Sequence, residues 1–297
     1  MSSVTRSHLV IGAAHWDIIA RSAAPLSLGA DVPGSVAIRP GGVAWNIAAG
    51  LAGAGISVSL CSVVGDDPEG ERLLALGARQ GIDISTVCRV PDARTDVYVA
   101  LESPDTGLFG AVAQTALLEE HAARIGQRAI SVSKAGGAGI VILDANIPEG
   151  TLLEIARHAQ EAGTPVLANP VSTAKAPRLL GLFGQSPGPI IVANLAEARV
   201  LTKANLANSA EAAAALATMG AATGLVTDGP RPASLATRSE VFSLAPRPVA
   251  QASVTGAGDA LIAGYLSALS RGYGPLDTLG AALDAAANHL ETHSHHA

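Results

Sequence analysis

Near the end of the 297-residue chain, Ser253-Val254-Thr255-Gly256-Ala257-Gly258-Asp259 runs into an apolar stretch. There Leu261, Tyr265 and Leu269 share a helical face with Ile262 and Leu266, so the spacing predicts a helix that begins just after the glycines. A helix start leaves N–H groups unpaired and a partial positive charge, and glycines let an anion reach that bare backbone. Asp259 falls in the first turn, a placement that a carboxylate complementing the dipole explains equally well. Earlier, Pro40-Gly41-Gly42-Val43-Ala44-Trp45-Asn46-Ile47-Ala48 opens a helix with two glycines and puts Asn46 one turn beyond Gly42 on the same face. Such a site can hydrogen-bond a polyol; a close helix–sheet contact is the structural alternative.

Two further segments belong with these. Gly12-Ala13-Ala14-His15-Trp16-Asp17 ends the first predicted strand, and the Asp17 carboxylate can accept two hydroxyl donors, which suits a sugar diol, or can cap a loop. Asn194-Leu195-Ala196-Glu197 directly follows a strand; Asn194 and Glu197 could orient water on Mg2+ or form an ordinary N-cap with an acidic first turn. Both tryptophans, Trp16 and Trp45, lie inside these segments, each able to line a substrate base or to pack in the core.

Other chemistries are poorly served. No lysine follows glycine (Lys134, Lys175 and Lys203 follow Ser, Ala and Thr), so there is no Walker P-loop, and no HExxH or dinucleotide GxGxxG occurs. Gly184-Gln185-Ser186-Pro187-Gly188 matches the hydrolase elbow GxSxG, but Pro187 lacks the N–H that its oxyanion hole requires. Cys61 and Cys88 make no disulfide framework. The formal charge of −6 without a long basic run argues against nucleic acid. No apolar run reaches the ~18 residues of a membrane span, so a cytoplasmic location is expected. The terminal His293-Ser294-His295-His296 could bind metal or fray in solvent.

The elements that must position these residues alternate. Leu9–Ala13, Val58–Val64, Ile140–Leu143, Val166–Ala168, Ile190–Ala193 and Leu225–Thr227 read as buried strands. Glu69–Gln80, Thr151–Glu161, Glu211–Met219 and Leu261–Leu269 read as helices. The pattern predicts an α/β fold, a mostly parallel sheet with helices on both faces and ligands beyond the carboxyl ends of its strands. With no internal linker, residues 1–297 read as a single domain. Two segments, about 24–40 and 87–110, break the alternation, the second containing the alternating Thr95–Glu102; they read as a small β lid or as surface loops.

In this order the four motifs resemble the ribokinase-like (phosphofructokinase-B-type) family of carbohydrate and nucleoside kinases, along nearly the whole chain. Within it, Gly41–Ala48 looks like the GGVARNIA of pseudouridine kinases, Asp144-Ala145-Asn146 like their DAN and Asn169-Pro170-Val171-Ser172 like their DPVS. Trp45 stands where Arg is usual and Asn169 where Asp is usual, the latter matching the Asn-Pro of ribokinases. The resemblance implies an ATP-dependent kinase that phosphorylates the 5′-hydroxyl of a nucleoside, pseudouridine foremost. Ribose or another sugar or nucleoside is the alternative acceptor, and a non-catalytic nucleoside-binding protein the remote one. It implies Asp259 as base, with Gly256, Ala257 and Gly258 as anion hole; a carboxylate at a helix N-terminus has its ionised form favoured, so a weak base is expected. Asp17, Gly41, Gly42 and Asn46 would hold the sugar. Asn169, Asn194, Glu197, Thr227 and Gly229 would serve ATP, with Glu197 reaching Mg2+ through water. The resemblance also admits a monovalent cation such as K+, and it implies a homodimer formed through the lid.

Overall fold

The computed structural model describes residues 7–134, 138–249 and 256–294. Ser253, Val254 and Thr255 of the last motif, and His295 and His296 of the tail, lie outside these residues. The strands are β1 (Ser7–Ile11), β2 (His15–Ser22), β3 (Gly34–Gly41), β4 (Val58–Cys61), β5 (Val63–Gly65), β6 (Cys88–Val90) and β7 (Val97–Ser103) in the first third. They continue as β8 (Gly107–Gln114), β9 (Ala138–Asp144), β10 (Val166–Asn169), β11 (Ile190–Asn194), β12 (Thr223–Asp228), β13 (Arg231–Ala236) and β14 (Val241–Leu244). The helices are α1 (Val43–Gly53), α2 (Pro68–Arg79), α3 (Ala116–Glu120), α4 (Ala122–Lys134), α5 (Glu149–Glu161), α6 (Leu195–Thr202), α7 (Ser209–Met219), α8 (Ala257–Ser270) and α9 (Pro275–Ser294). None of the described helices is long and apolar enough to cross a membrane.

Eight strands form one sheet in the order β14-β13-β12-β11-β10-β9-β1-β4. Its pairs from β4 to β12 are parallel, and β13 and β14 close it antiparallel. Successive residues serve opposite faces, as the twofold repeat of a strand demands. Leu9, Ile11, Val141 and Leu143 enter the core beneath α4 to α7, whereas Val10, Ile140, Ile142 and Leu167 enter the one beneath α1, α2, α8 and α9. Both faces are therefore dry, which is why these strands read as unbroken apolar runs.

The predicted strand Val58–Val64 is two elements. β4 stays in the main sheet, while β5 leaves it to pair with β6. The larger difference is the segment after β1. Gly12, at φ 153°, ends the strand, and the chain re-enters as β2, part of a second sheet of order β3-β2-β7-β8. The strands of this sheet occupy other bounds than the 24–40 and 87–110 expected from composition: β2 precedes the first segment and β8 runs past the second. His15-Trp16-Asp17-Ile18-Ile19 mixes polar and apolar residues in a way that suits a two-faced strand, but its continuity with β1 hid the break.

Two carboxylates root this second sheet in the body. Asp67, N-cap of α2, accepts from Gly70 N at 2.8 Å, from Thr95 N at 2.8 Å and from Thr95 Oγ1 at 2.6 Å, pinning the approach to β7. Asp96 accepts from Leu117 N and Leu118 N at 3.3 and 3.2 Å, capping α3 just beyond β8.

A third carboxylate governs α1. That helix opens at Gly42, φ 96°, with no side-chain cap of its own, and a Cβ on Gly42 would sit 2.3 Å from Ala13 O. Its first N–H groups are satisfied from other elements. Ala44 N donates to Asp144 Oδ2 at 3.1 Å and Trp45 N to Ala13 O at 3.2 Å. The same Asp144 carboxylate, 1% exposed at the end of β9, accepts from Ala13 N at 2.8 Å and Asn146 N at 2.9 Å. Asp144→Ala leaves these buried donors unpaired, each at a cost of about 1–3 kcal/mol. The expected loss of stability is about 3 kcal/mol or more, read as a lower urea midpoint at unchanged m-value.

Candidate active site

The parallel strands end along one edge, where the registers set Asn194 beside Thr227 and Asn169 beside Asp144. Above this edge lies a cleft of about 1030 Å³. It is lined by Asp17, Gly42 and Asn46, by Asn169, Asn194, Glu197, Thr227 and Gly229, and by Gly256, Ala257, Gly258 and Asp259. Gly41 alone of the predicted site residues does not line it. It backs Asp17 instead: a Cβ there would meet Asp17 Oδ1 at 2.2 Å.

Asn46 Nδ2 donates to Asp259 Oδ2 at 2.8 Å across 213 residues of sequence. α1 and α8 pack side by side, with a Cβ on Gly50 only 2.7 Å from that of Ala263, so small residues bring the two helix starts together. Gly256 caps α8 at φ 85° with no side-chain hydrogen bond, and a Cβ there would press on His289 Nε2 at 2.8 Å. Among the described residues, nothing outside its own helix and its chain neighbours lies within 4 Å of where a Cβ on Gly258 would project.

Asp259 is 7% exposed, and burial pushes its carboxyl up to about 7; the Asn46 hydrogen bond opposes this, and the charges of Asp144 and Asp17 add to it. The helix dipole led to the expectation of a weak base. Desolvation of a carboxylate among other carboxylates outweighs the dipole and yields a stronger one.

Asp17 stands on β2 rather than at the end of β1, beside Arg39 and Tyr98 in the sheet register. Its Oδ1 lies 3.3 Å from His15 Nδ1, without hydrogen-bond alignment, and Oδ2 lies 3.8 Å from Arg39 Nε. Asn194 and Glu197 form a capping box: Glu197 N donates to Asn194 Oδ1 at 2.9 Å and Asn194 N to Glu197 Oε2 at 3.0 Å. The structural alternative is thus realised, and the Asn194 oxygen is engaged. Glu197 keeps Oε1 without a hydrogen bond among the described residues, and burial raises its carboxyl. Asn169 is likewise engaged, accepting from Val171 N at 2.8 Å and donating to Val192 O at 3.2 Å.

Neither tryptophan lines the cleft. Trp16 is 3% exposed, donates to Glu69 O at 2.9 Å and lies under Arg72; Trp45 is 2% exposed and packs on Gly77. The cleft's lining adds His15, Tyr98, Asn146 and Lys175, to which the sequence motifs assign no role. Tyr98 lay within the predicted alternating strand, and alternation from Asp17's own strand would have been needed to aim it inward. Ser186 of the GxSxG match does not line the cleft.

A profile of the pfkB family carbohydrate kinases matches residues 6–295. The chain is 32% identical over 171 residues to the uncharacterized sugar kinase YeiI of Escherichia coli K12, covering 58% of this chain and 46% of that protein. It is 30% identical over 171 residues to the pseudouridine kinase of the same organism, covering 56% and 52%. The chain thus spans about half the length of the curated relatives it matches. A carbohydrate kinase from Agrobacterium tumefaciens has the same fold at a TM-score of 0.78 and 29% identity, over 95% of this chain and 90% of that one. Arabidopsis thaliana ribokinase, solved with ribose and ATP, aligns at a TM-score of 0.74 and 22% identity over 96% and 92%. Matched almost end to end by the profile, the chain belongs to the pfkB family of carbohydrate kinases.

Proposed function

We propose that this chain transfers the terminal phosphoryl group of ATP to the primary hydroxyl of a nucleoside, pseudouridine foremost. The observation that supports this best is the 2.8 Å bond between Asn46 and Asp259, which sets a buried base against a helix start suited to a polyol. Asp17, which lines the same cleft, offers a carboxylate to a diol. Asn46 holds Asp259 Oδ2, which leaves Oδ1 for the acceptor hydroxyl. As the acceptor oxygen bonds to phosphorus, the bond to the ADP oxygen breaks and the hydroxyl proton passes to Oδ1. The start of α8, which Gly256 caps without a side-chain hydrogen bond, offers its first N–H groups to the charge that spreads over the transferring group.

The far end of the cleft suits a nucleotide. Leu283, Ala286, Ala287 and Leu290 of α9, with Pro246 and Pro248, give the lining an apolar portion suited to a base, and Thr227 and Gly229 line the same cleft. Glu197 fits Mg2+ held through water: its Oε2 is engaged by Asn194 N, and its Oε1, without a hydrogen bond among the described residues, lines the cleft side of the capping box as an acceptor for a metal-bound water. Mg2+, when bound, neutralises phosphate charge.

A sugar acceptor is the second reading, favoured by an identity to YeiI as high as that to pseudouridine kinase. An ATP–Mg2+ panel of pseudouridine, uridine, ribose and adenosine decides between them. Preferred phosphorylation of pseudouridine is expected; equal turnover of uridine removes the subgroup assignment, and turnover of ribose alone establishes the sugar reading. Asp259→Asn is expected to keep acceptor binding while lowering kcat by at least ~10²-fold, and near-normal turnover would remove Asp259 from the chemistry. Because the base must be ionised, kcat/KM should rise with pH through about 7 and then level. Asn46→Ala removes a bond that favours the ionised form, so the rise should move to higher pH.

The second sheet completes the reading as a lid whose outer face joins a second copy. Residues in register with Asp17 face the cleft, so Val36, Ile38, Leu101 and Val112 face away, and they are 65%, 54%, 43% and 70% exposed. An apolar face of this kind is costly in a monomer. Light scattering is expected to give a dimer, and Val36→Asp with Val112→Lys a monomer; a monomeric wild type would overturn the assignment.

A further inference from the structure

Lys175 lines the cleft, and neither the motifs nor the proposed chemistry has used it. It follows a constrained loop. Asn169 ties the loop's base to β11, Val171 sits at φ 67°, which a β-branched residue rarely adopts, and Ser172 Oγ accepts from Lys175 N at 3.3 Å. From there the side chain crosses from the end of β10 to that of β9, where Nζ donates to Asn146 Oδ1 at 2.5 Å.

Two observations point to a ligand. The other cation lining the cleft, Arg247, is neutralised by Glu291, whereas Lys175 has no ion pair among the described residues and its one hydrogen-bond partner is a neutral amide. Burial lowers the pKa of its ammonium, and the charge of Asp144 only partly offsets this, so an anion brought to the cleft would favour the charged form. Along the strand ends the order is Thr227, Asn194, Asn169, Asp144, and Lys175 spans the last two of these, mid-way along the sheet edge, between the residues proposed for ATP and those proposed for the acceptor. A nucleoside or sugar is neutral; the anion that spans this gap is the phosphate chain.

We propose that Lys175 binds the terminal phosphoryl group of ATP and stabilises its charge during transfer, a role that rests on the kinase reading above. Lys175→Gln keeps a donor for Asn146 without the charge, Lys175→Met removes both, and Lys175→Arg restores a cation. In Gln and Met we expect kcat to fall by about 10²-fold with the acceptor KM unchanged, and Arg to recover part of the loss. By calorimetry, a nonhydrolysable ATP analogue should lose at least ten times more affinity than ADP in the Gln variant. Equal losses for the analogue and ADP, a raised acceptor KM at unchanged kcat, or a Gln variant with wild-type kcat would each overturn the proposal. Absence of transfer to any acceptor by the wild type would instead defeat the kinase reading, and the analogue-against-ADP comparison would still decide the role of Lys175.

Discussion

The site depends on one buried charge. Asp144 sits at the end of β9 and accepts hydrogen bonds from the exit of β1, from the first turn of α1 and from its own following turn. A carboxylate this dry is tolerated only where donors surround it. Those donors fix the angle at which α1 leaves the sheet, and that angle brings Asn46 to Asp259. The glycines around it answer the same constraint. A Cβ at Gly12 would lie 2.1 Å from the Asp144 carboxylate, and one at Gly42 would strike Ala13 O, so the backbone passes where side chains cannot.

The electrostatics of the cleft follow from desolvation more than from dipoles. Asp259 and Glu197 both lie in first turns, where a helix favours the anion, and both are shifted the other way by burial. Lys175 is moved toward neutrality by the same cause. Groups of both signs held away from water, with their polar atoms only partly paired inside the protein, await a ligand that brings its own charges. A triphosphate with its metal ion is such a ligand.

The second sheet divides its labour by strand parity. One set of alternate residues gives His15, Asp17 and Tyr98 to the cleft, and the other presents Val36, Ile38, Leu101 and Val112 to solvent. Its strands are pinned at the roots by Asp67 and Asp96.

The residue order by itself determined the alternating architecture, because strands buried on both faces are unbroken apolar runs and the covering helices repeat every three to four residues. It also located the late glycine-rich helix start and the early Gly-Gly-x-x-x-Asn, since backbone exposure and short polar groups are local properties. What it could not decide was depth and company. The break between β1 and β2, the removal of both tryptophans to the core, the capping box that engages Asn194, the upward shift at Asp259 and the inward reach of Lys175 all arise from atoms distant in sequence. Burial and hydrogen-bond partners are set by tertiary packing, and they fix what each of these side chains can do.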